Sequence, residues 1–225
     1  KWFALAGLLG NFIPAFFFPY AQTHLQSSVA GALNSLTPLF TLLSGILIFG
    51  KKFNKFKIIG ILIGLIGAII LILTKPDGGK ESHYEFGLII ILATLLYGIN
   101  VNIIETKLSK YSPMYIASLP LSLIFVPSLI SMIAFDFPFQ EMLSIKYVHG
   151  TMFIGLLGLA GTGLGLVLFN KLIQITNGLF ASTVTYLMPI VSTIWGVFNH
   201  ESIGLIQLLC LGLILAGILI VRKFN

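Results

Sequence analysis

Asn34 stands four residues before Pro38, and Thr185 stands four residues before Pro189. On a helix that spacing puts the members of each pair on one face. A proline inside a helix has no N–H, so the carbonyl four residues back loses its usual donor. Each site therefore joins a freed carbonyl to a polar side chain, which is a way to bind a small polar group without using a charge. Tyr97 and Asn100 are three apart and share a face, and Tyr186 and Trp195 lie well inside apolar runs. A tyrosine in such a run needs a partner for its hydroxyl. Asn11, with Pro14 and Pro19 nearby, is another polar group in an apolar stretch. The candidate cavity residues are thus Asn11, Asn34, Pro38, Tyr97, Asn100, Thr185, Tyr186, Pro189 and Trp195. The plainer alternative for the proline sites is a kink that aids packing. For the tyrosines and Asn100 it is hydrogen bonding between buried helices.

Other chemistries lack their residues. No Asp, Glu, Lys or Arg falls in the middle of an apolar run, so a buried carboxylate relay has no members. Glu105 and Lys171 lie near the ends of such runs, where snorkelling to the interface explains them. Asn170 and Gln174 sit near a run's end, as capping residues would, and Asn102 reads as packing glue. His24, His83, His149 and His200 are far apart and lack metal-ligand spacing. Cys210 is the single cysteine, so no disulfide or zinc site can form within the chain. Gly161-Thr162-Gly163-Leu164-Gly165 lacks the preceding strand of a nucleotide loop. Paired aspartates, a His-Glu zinc motif and a Ser-His pair are all missing from the runs. The expectation is no enzyme, no cofactor and no metal.

The elements that must position these residues are membrane helices. Of 225 residues, 57% are apolar and 9% charged, and mean hydropathy is +1.02. A soluble domain cannot hide that much apolar surface, but a bilayer solvates it. Eight runs of about 20 residues are long enough to cross it: 2–23, 28–49, 56–74, 85–105, 114–135, 148–170, 178–198 and 204–221. Hydrocarbon offers the backbone no partners, so each run is predicted as a helix. The net charge of +6 bears on topology and not on nucleic-acid binding. Lys1, Lys51, Lys52, Lys55, Lys57, Lys107, Lys110, Lys171, Arg222 and Lys223 fall on one side of alternating spans. Lys75, Lys80 and Lys146 fall on the other. That bias places both ends of this chain in the cytoplasm. The expected location is the plasma (inner) membrane of a bacterium, with the lipid bilayer as partner. The basic turn Lys51–Lys57 fixes topology and touches anionic lipid.

Part of the chain is written twice. The segment from Ser28 through Phe49 to the run 56–73 recurs from Leu179 through Phe198 to the run 206–221. Pro38 aligns with Pro189, Ala30 with Ala181, Gly45 with Gly196 and, after a one-residue gap, Gly67 with Gly217. Gly7-Leu-Leu-Gly and Gly155-Leu-Leu-Gly open the preceding helices. With eight spans, the copies cross in opposite directions, and an inverted repeat in a membrane protein points to a transporter. Pro76-Asp77-Gly78-Gly79-Lys80 is the clearest break. The expected division is 1–75, a linker 76–84, and 85–225.

These residues resemble the drug/metabolite transporter superfamily, in particular its EamA-like members. In that family each half ends with a proline helix, a Gly-Glu-like turn and a helix with two glycines seven apart. Here the halves read Pro38, Gly50-Lys51, Gly60, Gly67 and Pro189, His200-Glu201, Cys210, Gly217. Lys51 replaces the acidic residue of the first turn, and Cys210 replaces a glycine. The resemblance implies an all-α polytopic bundle built from two inverted five-helix repeats. Eight helices fall in this chain, so the first repeat is expected to lack its first two. It also implies secondary transport by alternating access. The expected cargo is a small organic metabolite such as an amino acid, with export the favoured direction. Proton coupling, facilitated diffusion and a homodimer stay open. The competing readings are a non-transport scaffold or lipid-interacting protein, and sugar-phosphate or nucleotide-sugar exchange. The exchanger would need basic residues inside its cavity.

Overall fold

A computed structural model describes residues 1–25, 27–73, 86–137, 147–188, 191 and 205–224. Every regular element among them is helical. Pro189, Trp195, the expected linker and the His200-Glu201 turn lie outside the described residues.

Among the described residues, four helices are long and apolar enough to span a bilayer: α1 (Trp2–Gln22), α5 (Gly87–Leu108), α6 (Pro113–Ala134) and α7 (Val148–Ile175). They coincide with four of the eight predicted spans. The run 56–74 is α4 (Lys55–Leu73), and 204–221 is α9 (Leu205–Lys223). The run 28–49 is not one helix but two, α2 (Ser27–Asn34) and α3 (Thr37–Leu47). The second copy opens with a short α8 (Gly178–Ser182), which tightens into a 3₁₀ turn at Thr183–Tyr186.

The break in the first copy follows from Pro38. Its ring cannot share space with the Asn34 carbonyl, and it has no N–H to offer. The helix stops at Asn34 and restarts at Thr37, with Pro38 in the first turn, where no N–H is needed. The Thr37 hydroxyl donates to the freed Asn34 carbonyl at 2.7 Å. The chain then leaves α3 through Gly50, at φ +63. There the Lys51 N–H donates to the Gly45 carbonyl at 2.9 Å.

α4 and α9 cross at backbone contact. A Cβ on Gly60 would lie 2.9 Å from the Gly217 carbonyl oxygen, and one on Gly67 would lie 2.9 Å from that of Cys210. The contact order is reversed along the two helices, so they run antiparallel. Lipid offers helices no hydrophobic drive to associate, so close approach at small residues supplies the adhesion. α5 lies as close to α3, with Gly98 under the Phe40–Thr41 backbone. Asn102 fastens the same pair. Its Nδ2 donates to the Thr41 carbonyl at 2.8 Å and the Ser44 hydroxyl at 2.9 Å.

Among the described residues, wide π-helical turns interrupt α1 at Leu8–Phe12 and α7 at Leu157–Leu164, and a third closes α5 at Ile104–Leu108. The outer surface is apolar: Leu88, Met152, Phe153, Leu159 and Leu205 are each more than two-thirds exposed. In water such a surface would aggregate, and in hydrocarbon it is matched.

Candidate functional site

A cavity of about 540 Å³ lies among α1, α5 and α6, with Thr162 of α7 at its edge. α1 supplies Gly10, Asn11, Phe12 and Phe16, and α5 supplies Tyr97. α6 and the residues after it supply Ser128, Ser131, Met132, Phe135 and Phe137. Among the described residues no charged side chain lines it. Its rings support one another. Tyr97 stacks on Phe18 at 5.9 Å, Phe12 meets Phe16 edge-on at 5.2 Å, and Phe16 approaches Phe135 at 6.3 Å. Asn11 sits in the first π-helical turn, a distortion that often marks functional positions.

Asn100 lies one layer behind this wall. Its amide nitrogen presses on Gly10, where no side chain would fit. Its Oδ1 is buried and accepts no hydrogen bond. Tyr97 and Asn100 therefore work on one face of α5, as their spacing implies. Only Tyr97 reaches the cavity itself.

The proline-linked residues form a second group. Asn34 is buried, and its side-chain nitrogen points at the Met188 sulfur, one residue before Pro189. Pro38 is buried at the start of α3. The Thr185 hydroxyl donates to the Ser182 carbonyl at 2.8 Å. Tyr186 is 0% exposed, and its hydroxyl donates to the Ile61 carbonyl at 3.3 Å. Its ring fills the space over Gly64, where a Cβ would lie 2.9 Å from Cζ. Asn34, Pro38, Thr185 and Tyr186 thus gather where the two copies meet, outside the described cavity lining.

A third cluster joins Glu105, read from the sequence as snorkelling, to Lys51, read there as part of the basic turn that fixes topology. Glu105 and Lys51 form an ion pair of 2.6 Å, with side chains 27% and 17% exposed. The Gly178 N–H donates to the same carboxylate at 2.8 Å. One acid therefore ties α5 to the turn after α3 and to the start of the second copy. Lys171 is exposed, as snorkelling requires. Gln174 caps the end of α5, donating to the Tyr111 carbonyl at 2.7 Å. The same end of the bundle holds Lys1 and Lys107, both over the Trp2 ring.

The cavity hydroxyls Ser128, Ser131 and Thr162 were missed. Serines are common in apolar helices because they bond to their own backbone, as Ser131 does to the Ser128 carbonyl at 2.7 Å. The usable signal was spacing: Leu121, Ile124, Ser128, Ser131 and Phe135 follow one helical face.

Residues 1–73 and 86–223 match the EamA-like transporter family. The inner membrane transporter YedA of Escherichia coli K12 is 25% identical over 199 residues, which is 88% of this chain and 62% of that protein. A transporter of Archaeoglobus fulgidus is 26% identical over 229 residues, covering 99% of this chain and 78% of that one. PagO of Salmonella typhimurium is 23% identical over 180 residues, 80% of this chain and 58% of its own length. The chain thus spans less than two-thirds of YedA and of PagO. A solved crystal structure shares the fold at TM-score 0.71 and 17% identity, covering 99% of this chain and 77% of the other. The chain belongs to the EamA-like transporter family, within the drug/metabolite transporter superfamily.

Proposed function

We propose that this EamA-like chain is the working part of a secondary transporter for a small organic metabolite, which it exports by alternating access. The observation that carries this reading is the cavity of about 540 Å³, walled by phenyl rings, amides and hydroxyls. That volume suits a small solute. A lining without charges suits a neutral or zwitterionic solute with an apolar part, such as an amino acid. Sugar phosphates would want cationic partners there. Asn11 and Tyr97 offer the hydrogen bonds, and the aromatic rings offer the apolar surface. Asn100 supports Gly10 from behind and keeps one acceptor in reserve.

Alternating access needs two units that move about shared contacts. The repeat supplies them, with a first unit over 1–75 and a second over 85–225. The crosswise contact of Gly60 with Gly217 and of Gly67 with Cys210 supports inverted crossing of the two copies. Asn34 against Met188, and Tyr186 against Gly64, are the points about which the units turn. The basic residues at the Lys1 end support a cytoplasmic placement of that end. The eight-span count belongs to the same proposal.

The test is flux from proteoliposomes containing the full-length protein and a mixed metabolite pool, read by mass spectrometry. Selective, saturable loss of one solute class is expected. Asn11→Ala should lower that flux at least tenfold while leaving membrane insertion intact. No selective flux in parent or variant would replace transport with the scaffold reading.

A further inference from the structure

We infer that Glu105 is the positioning residue of a gate at the Lys1 end of the bundle, closed here by its joint hold on Lys51 and the Gly178 N–H. The inference rests on the transport reading above. Three observations carry it.

First, the carboxylate is shared between the copies. Lys51 follows the proline helix of the first copy, and Gly178 opens the proline helix of the second. An ion pair within one copy could not report on their separation, whereas this one must lengthen when they part. Gly178 leaves no room for any side chain between its backbone and Glu105.

Second, the cluster sits on a sealed end. Directly around it, Ala6, Val101, Ile104, Ile173 and Ala181 form a buried apolar core, flanked by Trp2 and Phe49. Nothing the size of a solute passes while that core is packed.

Third, the cavity lies toward the other end. α6 starts at the sealed end, where Tyr111 meets the Phe3 ring at 5.0 Å. The cavity lining on α6 begins at Leu121 and continues past the end of the helix to Phe137. The structure is thus closed at the Lys1 end with its cavity reaching the opposite one. The next state of an alternating-access cycle must open the closed end, and the polar contact that must break is that of Glu105 with Lys51, while Gly178, in the same unit as Glu105, holds the carboxylate in place.

The test uses a cysteine introduced at the sealed core by Ala181→Cys. Alkylation by a membrane-impermeant maleimide is followed from the Lys1 side in vesicles, and modified peptides are read by mass spectrometry. Native Cys210, buried between α4 and α9, is the internal control for unfolding. Lys51→Met is expected to raise the alkylation rate at the introduced cysteine about tenfold, equivalent to about 1.4 kcal/mol of shifted equilibrium. Lys51→Glu should raise it further. Adding Glu105→Lys to Lys51→Glu should reverse part of the rise, because the ion pair returns while the Gly178 contact does not. An unchanged rate in Lys51→Met and Lys51→Glu overturns the gate. So does a rise matched at Cys210, because the pair would then hold the fold together and gate nothing. A double variant no slower than Lys51→Glu overturns it as well. The readout needs no substrate, so shifted labelling without flux in the parent protein would remove the transport reading and leave the conformational pair standing.

Discussion

Replacing Gly217 by Ala should loosen the contact between α4 and α9, and the same change at Gly212 on the same helix should not. A Cβ on residue 217 would sit 2.6 Å from the Gly60 carbonyl oxygen and 2.7 Å from the Gly64 nitrogen. Both are helical backbone atoms, so neither can swing aside. Ordinary contact begins at 3.4 Å, so the helices must part by about 0.8 Å, the difference between 3.4 and 2.6 Å. A gap of that size forfeits about a quarter to a half of each dispersion contact along the seam. In lipid such packing is the main source of helix adhesion, and we expect a loss of about 1–3 kcal/mol. At Gly212 a Cβ meets no atom within 4 Å. The helix stays hydrogen-bonded whether or not its neighbours part, so alanine's helix propensity adds little. That variant should stay within about 0.5 kcal/mol of the parent. The assay is thermal melting in detergent, scored as the fraction of protein still monodisperse on size exclusion. Gly217→Ala should melt roughly 2–10 °C lower, and Gly212→Ala should match the parent. Equal melting of the two variants, or a lower value for Gly212→Ala, would refute the helix register described here.

Three further outcomes follow from the same geometry. Tyr97→Phe should raise the half-saturating substrate concentration severalfold with melting unchanged, since it removes a cavity hydroxyl and keeps the ring. Unchanged half-saturation would take that hydroxyl out of the site. Asn102→Leu removes both donors into α3 and should lower stability by about 0.5–2 kcal/mol, the range of interhelical hydrogen bonds in membranes. Unaltered melting would show that Gly98 contact alone holds the pair. Thr37→Val keeps the shape but strips the donor from the Asn34 carbonyl, and should cost about 1–3 kcal/mol. Thr23→Val, at an exposed site, gives the baseline for losing a hydroxyl.

Some of this was legible in the sequence because it depends on local covalent facts. A proline cannot complete its ladder, so Pro38 marked the freed Asn34 carbonyl, although the run 28–49 read as one helix and the structure divides it into α2 and α3. The interior Tyr186 needed a partner, and it has the Ile61 carbonyl. What could not be read was which side of a helix faces a neighbour and which faces a void. Asn34 read as a site residue from its spacing to Pro38 and Tyr186 from its place inside an apolar run, and neither reading could say that they would lie where the copies meet, apart from the cavity that Asn11 and Tyr97 line. The glycines seven apart were legible as part of the family resemblance. Their crosswise pairing, Gly60 to Gly217 and Gly67 to Cys210, arises only from the antiparallel crossing. The Lys51–Glu105 pair joins residues 54 positions apart, beyond the reach of any local rule. Each residue alone reads as an interfacial charge.

The wide turns have a mechanical consequence. Those at Leu8–Phe12 and Leu157–Leu164 overlap the Gly-Leu-Leu-Gly segments of the two copies. A π-turn holds about one residue more than an α-turn, and at 3.6 residues per turn one residue corresponds to about 100° of rotation. Such a turn resembles a dislocation in a crystal. Beyond it the helix resumes its pitch, with every later side chain turned about the axis relative to an uninterrupted α-helix. At Leu8–Phe12 the wide turn itself carries Asn11, so the direction in which that amide meets the cavity is set by the extra residue of the turn as well as by the helix register.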